Sequence, residues 1–162
     1  MAAVDYFLKL DGVPGESTDS KHKGEIDIMS WSWGASQSGT MATGGGGGAG
    51  KVSFTDISFT AKMSKASPKL TLACCNGEHI KNAVLTCRKA GKEQQEYLVV
   101  KLAEILVSSY HTTAGGGGDL IPTDNFSFNF AKIQMDYKEQ KAEGTLGGVV
   151  SMNYSVKENK GA

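Results

Sequence analysis

The sequence has no excess of charge of either sign, since 17 Lys and Arg residues balance 17 Asp and Glu residues. Proteins that bind nucleic acids or anionic membranes electrostatically carry a clear basic surplus. The balance therefore argues against nucleic acid as a partner. A chain with a net charge near zero also has little repulsion between its copies, which favours self-association.

A long hydrophobic segment is missing as well. No stretch approaches the roughly 18 consecutive apolar residues of a membrane-spanning helix, so no membrane insertion is expected. Residues 1–12, MAAVDYFLKLDG, lack the basic region and the apolar run of a cleavable signal peptide. The sequence therefore predicts a soluble, cytoplasmic protein.

Cysteine is scarce. Cys74, Cys75 and Cys87 cannot form a closed set of disulfides, and reduced thiols are the expected state. With 162 residues the chain is long enough to bury a core without a disulfide or a metal ion. We expect one domain that spans residues 1–162.

Glycine is abundant, and its distribution marks the most unusual segment of the chain. Residues Gly34 to Gly50 connect two segments, 25–33 and 52–60, that are rich in Trp, Ile and Phe. Connections between strands usually have about two to six residues, and much longer ones tend to be functional or disordered. We therefore predict a long, extended Gly-rich loop here, which we call the arm.

Alternation of apolar residues predicts seven to nine strands. The apolar side changes near Ile28 and Met29, and again within residues 126–137. Such a change indicates a bulge, a strand that passes between sheets, or a second buried surface. We predict a closed antiparallel β-barrel, made of two packed curved sheets, whose outside is partly covered by other copies. Bulges within a monomer are the alternative explanation.

One short α-helix is predicted beside the barrel. Ser67 is the expected N-cap, Pro68 suits the first helical position, and Gly77 is a C-terminal stop. Leu70 and Ala73 are spaced to lie on one face of this helix.

No motif for catalysis, metal binding or cofactor binding has the required context. The segment Gly45 to Lys51 has the spacing of a phosphate-binding loop, but Val52 replaces the hydroxyl residue and a strand, not a helix, follows. His22 and His79 are expected to be solvated, because no set of converging ligands accompanies them. We therefore predict that the protein is not an enzyme and holds no cofactor.

Several blocks together resemble the haemolysin-coregulated protein (Hcp) family, the tube subunits of the bacterial type VI secretion system. They are EIDIMSWSWGASQSG, GGGGGAGKVSFTDISFT, SPKLTLACCNGEHI and TCRKAGKEQQEYLVVKLAEILVSS. The resemblance implies a β-barrel with one flanking helix. It also implies six-membered rings that stack into a tube, which a contractile sheath expels with effectors, some of them held in the lumen.

The resemblance further implies which residues make contacts. The lumen-facing strand matches residues 25–33, so Ser30 and Ser32, on the face opposite the tryptophans, are predicted to contact effectors. The arm matches the loop that contacts neighbouring subunits and stacked rings. Its predicted contact residues are Gly34, Ser36, Gln37, Met41, Gly44, Gly45, Gly46, Gly47 and Gly48.

The implied partners are other copies of the chain, the sheath, spike and baseplate proteins of the secretion system, and secreted effectors. Export by this route requires no cleavable signal. Two alternatives remain at this point: a phage tail-tube protein of the same architecture, and a monomeric β-barrel that binds a small ligand.

Overall fold

The computed structural model describes residues 4–38, 51–89, 94–118 and 120–162. It contains eleven strands and one helix in these ranges. The strands are β1 (Val4–Leu10), β2 (Ile26–Ile28), β3 (Ser30–Ser32), β4 (Ala35–Ser36), β5 (Ser53–Phe54), β6 (Ile57–Lys62), β7 (His79–Lys89), β8 (Gln95–Thr113), β9 (Thr123–Gln140), β10 (Leu146–Ser155) and β11 (Lys160–Gly161). The helix α1 (Ala66–Asn76) lies between β6 and β7.

All strand pairs are antiparallel, and most belong to one large sheet. The main path runs β11-β10-β9-β8-β7-β1-β2, and β6 branches from β9 and carries β3 on its other edge. Strand β9 is long enough to pair with two strands along the same edge, β6 over Thr123–Phe128 and β10 over most of residues 132–140. The small β4–β5 pair is separate and forms the base of the arm.

The predicted mainly-β fold with one helix is confirmed, but the predicted closed barrel is wrong. The backbone pairing forms an open sheet in the part of the chain that the structure describes. The reason lies at Met29, which divides the predicted second strand. Ile26–Ile28 pair with β1, whereas Ser30–Ser32 pair with β6. Neither short segment pairs with β11, so the two ends of the main path, β2 and β11, are not joined.

The second change of apolar phase coincides with a backbone irregularity in β8, which pairs with β9. Glu104 in β8 adopts φ 52°, a left-handed conformation that is rare for a residue with a side chain. On either side of it, Leu102 and Ile105 are both buried although they are three residues apart. Phe130 and Ile133 of β9, which pair with Ile105 and Leu102, show the same spacing. The sequence pattern therefore marks a local irregularity in the paired strands.

The helix begins slightly earlier than predicted. Its first residue is Ala66, so Ser67 lies within the first turn and is not the N-cap. The Ser67 hydroxyl accepts the N–H of Ser64 at 3.0 Å and donates to the buried carboxylate of Asp124. The predicted end is confirmed, because Gly77 adopts a left-handed φ of 65° and its N–H donates to the Ala73 carbonyl.

Aromatic side chains fill the core between the sheet and the helix. Phe59, Phe126 and Phe128 form a cluster with ring centroids 5.1 to 5.5 Å apart. Leu70 of α1 is also fully buried against the core. The inward-facing rings require the alternate residues of the same strands to point outward, which creates the surface described next.

Candidate interaction surfaces

Four strands present a continuous face of small polar side chains, which we call the polar wall. One row across β3, β6, β9 and β8 is Ser32, Ser58, Ser127 and Ser109, and the adjacent row is Ser30, Thr60, Asn125 and His111. These eight side chains line a shallow concavity of about 180 Å³. The predicted contact residues Ser30 and Ser32 both belong to this wall and are exposed.

The wall is polar because the other face of the same strands is used for the core. Trp31, Phe59 and Phe126 each stand between two wall residues of their strands. Trp31 pairs with Phe59, and Phe59 pairs with Phe126, so these three aromatic side chains point inward. The Trp31 ring also packs edge-on against Tyr6, with centroids 6.3 Å apart. Side-chain alternation along a strand therefore assigns Ser30 and Ser32 to the outer face.

Hydrogen bonds between neighbours order the centre of the wall. Thr60 Oγ1 donates to Asn125 Oδ1 at 2.7 Å. A bulge in β8 brings both Ser108 and Ser109 opposite Ser127, and the Ser108 and Ser127 hydroxyl oxygens lie 2.8 Å apart. Of the eight wall residues, His111 alone carries an ionisable side chain, so the wall bears almost no charge.

The chain leaves β3 of this surface and enters the separate β4–β5 pair, and we call residues 34–36 and 53–55 the arm base. Gly34 N–H donates to Thr55 Oγ1 at 2.8 Å, and Thr55 N–H donates to the Gly34 carbonyl at 2.9 Å. Ser36, which pairs with Ser53, and the adjoining Gln37 are exposed. The other predicted arm residues, Met41 and Gly44 to Gly48, lie outside the residues that the structure describes.

An aromatic cluster that sequence reasoning did not predict packs against the arm base. Phe54 of β5 stacks on Trp33 with centroids 6.3 Å apart. It also contacts the rings of Phe130 and Tyr154, at 5.7 and 5.6 Å. Trp33 therefore packs against the arm base, while Trp31 packs at the core. The aromatic character of each residue was visible in the sequence, but no local signal indicated that Tyr154 would join the others.

Comparisons with known proteins decide the family. Residues 7–137 match the family model described as "Type VI secretion system effector, Hcp". The chain belongs to the Hcp family. It is 51% identical to the protein Hcp1 of Pseudomonas aeruginosa over 159 residues, which cover 97% of this chain and 98% of that relative.

Solved structures agree with this membership of the Hcp family. Hcp1 of Salmonella typhimurium superimposes with a TM-score of 0.84 at 35% identity, covering 99% of this chain and 100% of that one. A structure described as a type six secretion system protein gives a TM-score of 0.93 at 31% identity, with the same coverage. The predicted function is confirmed: the protein is a tube subunit of a type VI secretion system, from a family of secreted structural proteins.

A buried ionic cluster lies away from the polar wall residues, where β1 and β7 pair. Residues 11–25, which we call the covering loop, bring Asp19 to the guanidinium group of Arg88. Arg88 Nη1 and Nη2 donate to the two Asp19 carboxylate oxygens at 3.0 and 2.7 Å, and Nη2 also donates to Asp5 at 3.0 Å. The hydrogen bonds from Arg88 hold the pKa of Asp19 well below its usual range, and the Asp19 carboxylate raises the pKa of Arg88.

His22 belongs to the same loop, and its expected solvation is wrong. The residue is only 7% exposed. Its Nδ1 lies 2.9 Å from a carboxylate oxygen of Glu25, and its Nε2 lies 2.7 Å from one of Glu96. The imidazole also stacks on Phe7, with centroids 4.4 Å apart. The long-range partners Glu96 and Arg88 could not be assigned to this loop from sequence spacing. His79, in contrast, is exposed as predicted.

Two further properties concern the described residues alone. Within residues 4–38, 51–89, 94–118 and 120–162, no group of three or more His, Cys, Asp and Glu side chains is arranged to hold a metal ion. In the same ranges no helix is long and apolar enough to cross a membrane. The phosphate-loop-like segment Gly45 to Gly50 falls outside them.

Proposed function

We propose that six copies of this chain close into a ring with the polar wall facing a central lumen, and that rings stack into the tube of the secretion system. The observation that carries this proposal is the wall itself. All eight of its side chains are polar, and five of them are exposed: Ser30, Ser32, Ser58, Asn125 and His111. On the reverse face of the same strands, Phe59 and Phe126 are buried in the core. A water-filled channel that must let proteins pass favours such a surface, because it has neither sticky apolar patches nor strong charge.

Unpaired strand edges support closure of the ring. The C-terminal end of β8 extends beyond β7. The pairing of these two strands stops at His79 of β7, which lies opposite Leu106 of β8. The edge of residues 107–113 that faces away from β9 therefore has no strand partner in the part of the chain described. At the other side of the wall, β3 pairs with β6 alone among the described strands. Two different free edges on one subunit suit the head-to-tail interface of a cyclic ring.

In this proposal the arm contacts the neighbouring subunit and the next ring. Gly34, Ser36 and Gln37 provide its start, and Met41 and Gly44 to Gly48 provide the remaining contacts. A glycine-rich segment suits this role because its backbone can approach another backbone closely. The arm begins beside the wall, since β3 leads through Trp33 directly into Gly34.

The remaining parts of the proposal concern partners and location. We propose that residues 1–162 fold as one domain. The tube is assembled in the cytoplasm within the sheath, and spike and baseplate proteins lie at its end. Export requires no cleavable signal. The chain acts on effectors by holding them, without catalysis.

The test is enlargement of one wall residue. Ser32→Gln places a longer side chain at an exposed position on β3, the outermost strand of the wall, where we expect effectors to bind. Ser20→Gln, at an exposed position in the covering loop, is the matched control. Light scattering should give six times the 17.1 kDa chain mass for both variants. The amount of effector that co-purifies, measured by quantitative mass spectrometry, should fall at least several-fold for Ser32→Gln alone. Equal retention by both variants would contradict the assignment of the wall.

A further inference from the structure

We propose that the C-terminal hairpin, residues 153–162, positions the arm base, and that Tyr154 and Asn159 are the positioning residues. This inference rests on the proposed role of the arm in ring stacking. It identifies the C-terminal hairpin as the part of the subunit that controls the direction of the arm base. The hairpin and the arm base are separated by about 100 residues in sequence, and ring contacts connect them in the structure.

The C-terminal hairpin is well defined. Strand β11 pairs with the end of β10, with Lys160 opposite Ser155 and Gly161 opposite Tyr154. Asn153 and Ala162 exchange two backbone hydrogen bonds of 3.1 Å. Asn159 closes the turn in a left-handed conformation, φ 53°, which Asn tolerates better than most residues.

This hairpin fixes the Tyr154 ring from two sides. The Tyr154 hydroxyl donates to the side-chain oxygen of Asn159. Gly161 lies so close to the ring that a Cβ atom there would come within 2.9 Å of Tyr154 Cδ2. The hairpin is itself attached to the sheet, because Val156 N–H donates to the Ala131 carbonyl at 2.7 Å. Tyr154 is therefore held against a rigid part of the fold.

Tyr154 passes this constraint to the arm base through Phe54. The two rings lie 5.6 Å apart, and Phe54 in turn stacks on Trp33. Phe54 and Trp33 stand on the two chain segments that enter and leave the arm. The β4–β5 ladder that joins these segments has two residues in each strand, and so short a pair has little stability of its own. Packing against Tyr154 is thus a principal constraint on the direction in which the arm leaves the subunit.

The experiment removes the Tyr154–Asn159 hydrogen bond in two independent ways. Tyr154→Phe deletes the donor and keeps the ring, and Asn159→Gly deletes the acceptor and keeps a residue that suits φ 53°. Tyr137→Phe, at a tyrosine that is 46% exposed on β9, is the matched control. Each variant is studied as assembled rings. The first readout is the hydrogen exchange of the Gly34 and Thr55 amides, and the second is tube length in negative-stain images.

We expect both variants to accelerate exchange at the arm base about fivefold, which corresponds to loss of one ordinary hydrogen bond. The double variant should be no worse than either single one, because both delete the same interaction. Tubes should be shorter, while rings remain intact. Tyr137→Phe should leave exchange and tube length at wild-type values.

The two readouts separate failure of this inference from failure of the proposed function. Unchanged exchange at Gly34 and Thr55 in both variants would overturn the positioning role. Faster exchange with tubes of normal length would support that role and contradict the stacking function of the arm. Gly161→Ala, which pushes on the Tyr154 ring, gives a third perturbation, with Gly116→Ala as its control in open space. Its failure to accelerate exchange would also count against the inference.

Discussion

Replacement of Asp19 by Asn tests whether the covering loop is held by its buried ionic cluster. Arg88 is 1% exposed, so its guanidinium group depends on protein partners for compensation of its charge. In Asp19→Asn one of the two hydrogen bonds from Arg88 meets an amide donor and is lost, together with the negative charge. The Asp5 carboxylate remains at 3.0 Å, which limits the damage.

The expected cost follows from these contacts. Removal of one partner from a buried ion pair costs about 3–5 kcal/mol, and a hydrogen bond to a charged group contributes about 1.5–3 kcal/mol. Because Asp5 still neutralises part of the charge, we expect the free energy of unfolding to fall by about 2–4 kcal/mol at pH 7. With a urea dependence of about 1–3 kcal/mol per molar, the unfolding midpoint should shift on the order of 1 M.

The pH dependence gives a second, independent check. The pKa of Asp19 is lowered in the folded protein, so its contribution is present above the unfolded pKa of about 4 and is lost as the pH falls below it. The difference between the wild type and Asp19→Asn should therefore be about 1 kcal/mol smaller at pH 3 than at pH 7.

The assay is urea unfolding followed by circular dichroism at both pH values. The protomer concentration must be the same in all samples, because self-assembly stabilises the folded chain by mass action. Asp11→Asn, an exposed carboxylate at the start of the same loop, is the matched control and should change stability by less than about 0.5 kcal/mol. A loss as small as this for Asp19→Asn, or a difference of equal size at pH 3 and pH 7, would refute the reasoning.

Two further predictions concern close packing and thiol chemistry. Gly15→Ala should lower the free energy of unfolding by about 1–3 kcal/mol, because the added Cβ would lie 2.4 Å from the Glu25 carbonyl oxygen. Thermal melting measures this loss of stability. A loss no larger than that of Gly116→Ala, whose Cβ would lie in open space, would contradict the prediction. Burial raises the pKa of the Cys87 thiol to about 12, so at pH 8 a thiol reagent should modify the exposed Cys75 and leave Cys87 intact until urea is added. Peptide mapping reads out both sites, and equal modification of the two under native conditions would show the prediction to be wrong.

Local sequence patterns determined much of this protein. Gly77 ends the helix because a residue without a side chain adopts the left-handed conformation at little cost. Ser30 and Ser32 lie on the face opposite Trp31 because neighbouring residues of a strand point to opposite sides. The phase change near Ile28 and Met29 marks a genuine structural boundary. Each of these features depends on a few adjacent residues, and the sequence alone therefore contains it.

Other features depend on which distant segments become neighbours, and only the tertiary structure decided them. The phase change at Met29 was compatible with a closed barrel, but the structure divides the strand there between β1 and β6 and leaves an open sheet. His22 looked solvated until the fold placed Glu96 beside its ring. Tyr154 gave no sign of contact with Phe54, 100 positions earlier. The alternation of side chains along a strand determines the side to which a residue points. Which residue it contacts on that side depends on the packing of the whole chain.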